Sequence, residues 1–187
     1  NESREIMRML STAFDAPTGV DIAPVELRSE IDEAIDDIYE PINNGVYRAG
    51  FADTQAAYSA AIEELFAALD RYDRLLGQQR FIVGDRLTEA DIALFVTLVR
   101  FDDVYHTHFK CNRKAIHEYP NLWGHTREVY QLPGVAETVN LDHIRRHYFA
   151  SHTDINPKQI VAVGPDLSFT APHDRARLGG QLPSALS

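Results

Sequence analysis

The sequence predicts an all-α domain, and three observations carry that expectation. Apolar residues recur every three or four positions along most of the chain, alternating strand patterns are nearly absent, and Pro and Gly fall where the periodic stretches break off. In the first stretch Ser3 stands as an N-cap before Ile6, Met9 and Leu10, and Pro17 and Gly19 end it. Over residues 24–40 Leu27, Ile31, Ile35 and Ile38 step by three or four with acidic residues on the other faces, which predicts an amphipathic helix stopped by Pro41. Residues 43–51 carry turn formers and two glycines, and read as an ordered loop.

The most regular helix covers residues 54–76, where Ile62, Leu65, Phe66, Leu69, Tyr72 and Leu76 make one apolar stripe. Residues 80–87 read as short and extended. A capping box follows, Thr88 with Asp91 in the usual Glu position, and Leu87 and Ile92 are placed to form a hydrophobic staple. The helix it opens is apolar nearly all round through Val99, as a helix buried in a bundle must be. Further helices are expected from Tyr119 to about Gln131 and from Leu141 to Phe149. Beyond residue 150, Pro157, Gly164, Pro165, Pro172, Gly179, Gly180 and Pro183 predict a tail without regular structure that wraps the surface or frays.

Composition narrows the function. The chain has 187 residues, 44% of them hydrophobic, which suits one sizeable core. Its 28 acidic against 18 basic residues give a net charge of −10, which repels phosphate backbones and anionic lipid. No apolar run is long enough to cross a membrane, and the start lacks the features of a secretory signal. The lone Cys111 rules out an internal disulfide and fits the cytoplasm. A beginning at Asn1 with a helix already under way reads as a fragment.

Chemistry-bearing residues are few. His143 and His147 share a helix face at zinc-ligand spacing, but Arg145 and Arg146 lie between them and the zincin Glu does not, so no metal is expected. Cys111 reads as a small buried apolar residue. Tyr47 and Tyr148 read on their own as half-buried packing residues.

Five runs carry a family resemblance. Phe81-Ile82-Val83-Gly84-Asp85-Arg86-Leu87-Thr88-Glu89-Ala90-Asp91 resembles the capping-box signature of the glutathione transferase helical domain. Asn43 to Phe51, Arg100 to Asn112, Tyr119-Pro120-Asn121-Leu122-Trp123, and His143 to Tyr148 together resemble the Xi class, the glutathionyl-hydroquinone reductases; Ile155-Asn156-Pro157 and Val163-Gly164-Pro165 resemble that family's tail. The resemblance implies a glutathione transferase C-terminal helical bundle over residues 24–150, with residues 1–13 ending a thioredoxin-like domain, 14–23 a linker and 151–187 a tail. It implies a dimeric, glutathione-dependent enzyme that reduces glutathionyl-hydroquinones with a Cys-Pro-Trp cysteine, a motif this chain does not contain.

By the same resemblance Tyr47 and Tyr148 contact the quinol hydroxyl over the reactive sulfur, Tyr105 and Phe101 form a further wall of the substrate site, and Glu2 and Ser3 grip the γ-glutamyl end of glutathione. The chemistry suits those roles, since a phenol can donate to a developing phenolate and a helix N-terminus attracts a carboxylate. The alternative is a noncatalytic helical interaction module that reuses the fold. Such a module has no need of the paired tyrosines or of Glu2 and Ser3.

Overall fold

In the computed structural model, residues 3–13, 20–183 and 186 are described, and they form a helical bundle. Among them the one β-type contact is an isolated parallel bridge between Arg86 and Gln181. The helices are α1 (Ser3–Ala13), α2 (Arg28–Ile38), α3 (Gly45–Gly50), α4 (Gln55–Gln78), α5 (Glu89–Arg100), α6 (His106–His108), α7 (Pro120–Tyr130) and α8 (Leu141–Ser151).

The core is built around α4 and α5. Thr54 Oγ1 caps α4 by accepting from the Ala57 amide at 3.1 Å, and the expected stripe from Ile62 to Leu76 is buried against α3 and α7. α5 packs on α2 and α7. Its N-terminus is closed by Asp91, which is fully buried: Oδ2 accepts from the Thr88 amide and hydroxyl, and Oδ1 from the Ile82 amide at 2.9 Å and faces His125 Nε2 at 3.0 Å. Leu87 and Ile92 meet in the same apolar cluster, as a staple requires. α7 takes its cap from another helix, since Asp73 of α4 accepts from the Asn121 and Leu122 amides, both at 2.9 Å.

Three features depart from the sequence reading. Pro41 does not stop α2. The chain widens into a π-helical turn, Tyr39–Asn43, closed by Asn44 N to Tyr39 O at 2.7 Å, and the wider turn absorbs the proline that a regular helix would not. Residues 43–51, expected as a loop, contain α3. Gly50 serves contact rather than turning, because a Cβ there would lie 2.3 Å from the Phe109 ring. The tail lacks regular structure for the most part but is not loose: Phe169 joins the smaller apolar cluster and Arg175 is 1% exposed.

Candidate active site

A cleft of about 490 Å³ opens between α1, α2 with its π-turn, α3, α5 and α8. Ile35, Tyr39 and Asn43 form one wall, and Ile92, Val96 and Arg100 of α5 the opposite one. Arg4 and Met7 close the side toward α1. Asn43 ties the walls together, donating from Nδ2 to Ala93 O at 2.8 Å and to Thr97 Oγ1 at 2.6 Å.

Three tyrosine hydroxyls converge in this cleft. Tyr148 Oη lies 2.5 Å from Tyr47 Oη and 2.9 Å from Tyr105 Oη. Tyr105 is 3% exposed, Tyr148 7% and Tyr47 37%, so the chain of hydroxyls runs from the core to the solvent. Each comes from a different element: Tyr47 from α3, Tyr148 from α8, and Tyr105 from a second π-helical turn, Phe101–Tyr105, that carries α5 on into α6. The extra residue of a π-turn rotates all that follows by about 100° around the helix axis, and it sets the face on which Tyr105 emerges. The ring of Tyr105 stacks on Phe109 at 5.5 Å and meets Tyr148 edge-on at 5.5 Å, which leaves the hydroxyls little freedom.

Burial is the main force on these phenols. It pushes the Tyr148 hydroxyl up to about 12, against a smaller pull from the hydrogen bond with Tyr105 and from the Arg100 charge, and it raises Tyr105 as well. At neutral pH the Tyr105 and Tyr148 phenols therefore stay protonated and can donate.

The chain resembles known proteins over most of its length. Residues 55–128 match the family of the glutathione S-transferase C-terminal domain. The chain is 53% identical over 177 residues to the glutathionyl-hydroquinone reductase YqjG of Escherichia coli, across 94% of this chain and 54% of that protein. It superposes on a Xi-class glutathione transferase from Natrialba magadii with a TM-score of 0.92 and 58% identity, covering 95% of this chain and 55% of that one. Over nearly all of its length the chain is thus similar to the Xi-class glutathione transferases. It spans about half the length of the curated relatives it matches. A structure of YqjG with glutathione bound superposes with a TM-score of 0.89 and 52% identity, over 94% of this chain and 58% of that one.

The expected tyrosines Tyr47, Tyr148 and Tyr105 come together in the cleft. Phe101 does not reach it. It is fully buried, edge-on to Phe66 at 6.3 Å and to Tyr105 at 6.2 Å, so it backs the Tyr105 ring instead of forming a wall. Glu2 lies outside the described residues. Ser3 opens α1, whose next residues bring Arg4 and Met7 to the cleft, and the side chain of Ser3 is likewise outside what is described.

Cys111 is fully buried, and burial pushes its thiol up to about 12, the opposite of what a nucleophile needs. His147 packs its ring on Tyr148, and among the described residues no cluster of three His, Cys, Asp or Glu is set to hold a metal. The cleft residues that the sequence reading passed over are Tyr39, Asn43, Thr97 and Arg100. Asn43 and Arg100 stand in runs that carried the resemblance, yet nothing in their spacing separates a cleft residue from a surface one.

Proposed function

We propose that the protein carrying this chain reduces glutathionyl-hydroquinones with glutathione, and that this chain supplies the aromatic half of the site. The observation that carries the reading is the convergence of the Tyr47, Tyr105 and Tyr148 hydroxyls in an otherwise largely apolar cleft of aromatic-substrate size. In this reading residues 1–13 end a thioredoxin-like domain, 14–23 link it to the helical domain of residues 24–150, and 151–187 form the tail. Ser3 at the N-terminus of α1, with Glu2 before it, receives the γ-glutamyl end of glutathione, which fits because the same helix lines the tyrosine cleft one turn later.

The chemistry follows in two steps. A cysteine thiolate of the thioredoxin-like domain attacks the glutathionyl sulfur. The aryl carbon–sulfur bond breaks, the ring takes a proton, and hydroquinone leaves. A second glutathione then attacks the enzyme–glutathione disulfide, releasing glutathione disulfide and the thiolate. Tyr47 and Tyr148 donate to the quinol oxygen while charge develops on it, and Tyr105 holds Tyr148 in place. The protein acts as a cytoplasmic homodimer, a reading that the unpaired Cys111 and the exposed Ile160 and Val163 support.

The test is glutathione-dependent release of hydroquinone by the protein with both domains. Tyr47→Phe and Tyr148→Phe are each expected to lower kcat by about 10- to 100-fold, with KM moving much less. An unchanged kcat in both variants overturns the assignment. A noncatalytic module would show no release at all.

A further inference from the structure

Arg100 occupies an unusual electrostatic position in a chain of net charge −10. It is half-buried on the cleft wall, on the same cleft as Tyr148, and its Nη1 donates at 2.5 Å to Val96 O, one turn back on its own helix. Among the described residues it has no carboxylate partner. The other arginine of the cleft, Arg4, is held by Asp32 at 3.0 Å and Asp36 at 2.9 Å. Among the described residues no Asp or Glu lines the cleft. On its other side Arg100 borders a second hollow of about 260 Å³ with Asn140 and His143 on its rim, and no described acid lines that one either. A half-desolvated guanidinium reachable from two hollows, with most of its donors unspent, calls for an anion.

We propose that Arg100 determines specificity for aromatic substrates that carry an acidic substituent, a carboxylate on the hydroquinone ring, with the second hollow giving that substituent room. This rests on the reading of the cleft as the hydroquinone site. The carboxylate reaches Arg100 while the quinol oxygen faces Tyr47 and Tyr148. A planar, bidentate partner of this kind suits guanidinium better than ammonium.

Binding to the full chain tests this without turnover. Calorimetry compares hydroquinone, 2,5-dihydroxybenzoate and 2,5-dihydroxybenzamide, with glutathione as a separate ligand. The carboxylate is expected to bind about tenfold tighter than the amide at low salt, and the ratio is expected to shrink as salt rises. Arg100→Gln should bring that ratio to about one, and Arg100→Lys should leave it intermediate. A ratio near one in the unaltered chain overturns the proposal, as does a ratio that survives Arg100→Gln. Loss of glutathione binding in Arg100→Gln with no change in the ratio overturns it too, by assigning Arg100 to the thiol. Failure of all three aromatics to bind defeats instead the reading of the cleft itself.

Discussion

His108 and His152, behind the tyrosine cluster, show how single side chains make stability depend on pH. Their ring nitrogens, His108 Nε2 and His152 Nδ1, lie 3.1 Å apart, so one donates and the other accepts, and protonating both would set two cations face to face. Burial first, then the charge of His152 and of Lys110, lowers the His108 pKa to about 4, and burial with the charge of His147 lowers that of His152. Because the folded value lies below the unfolded value near 6.5, the stability from neutral His108 is complete above pH 6.5. It is lost as pH falls toward 4. Urea unfolding is expected to show a loss of about 2 kcal/mol between pH 7.5 and pH 5, and His108→Gln should flatten that part of the profile. Equal slopes in the two proteins would remove His108 from the explanation. The pair was invisible in the sequence, which shows eight histidines and no hint that His108 and His152, 44 residues apart, share a bond. Tyr47 and Tyr148 were placed in the cleft through the runs that contain them, whereas Phe101, in such a run as well, is fully buried between Phe66 and Tyr105, which no residue type in the run signals.

At the level of the element, two π-turns shape the site. Regular helix periodicity describes α2, α4, α5 and α8 well enough to find them from their apolar stripes, and caps such as Thr88 with Asp91 were readable from residue type alone. The π-turns were not: Pro41, Gly45 and Gly50 ordinarily signal a break around the first, and no residue type in Phe101–Tyr105 marks the second. Gly50 is the clearest instance. It ends α3, three residues past Tyr47, and a Cβ on it would meet the Phe109 ring at 2.3 Å with ring and stem atoms both in the way. Phe109 in turn stacks on Tyr105 and lies 5.3 Å from Tyr47, so it has nowhere to retreat without moving the phenols. Gly50→Ala is therefore expected to lose about 2 kcal/mol of stability despite the better helix propensity of Ala, with the loss read from the urea midpoint. A variant as stable as the parent would show that the α3–Phe109 contact yields freely.

Across the whole molecule the tail acts as a clamp, and this is where composition misled most. Its prolines and glycines leave little regular structure beyond the 3-10 turn Arg175–Leu178, yet scarcity of helix and strand says nothing about anchoring. Arg175 runs its stem past Gly124 of α7, where a Cβ would come within 3.1 Å of the arginine Cδ. Its guanidinium then donates to the carbonyls of Leu76, Gln79 and Arg80. These carbonyls lie at the C-terminal end of α4, where helical partners run out and a cation is favoured. Glu128, 3% exposed and paired with Arg80 at 2.8 Å, offsets the buried charge from the α7 side. One tail residue thus joins the end of α4 to α7. Removing it leaves three carbonyls without their donor at once and takes a nearby positive charge from Glu128. Arg175→Ala is expected to cost about 3–5 kcal/mol, measured by urea unfolding, and truncation after residue 165 should cost at least as much because Phe169 leaves with it. Arg175→Lys keeps the charge but lacks the fork that serves three carbonyls, and should recover less than half of the loss. A cost below about 1 kcal/mol for Arg175→Ala would mean that water replaces the guanidinium and that the tail only covers a bundle already stable without it.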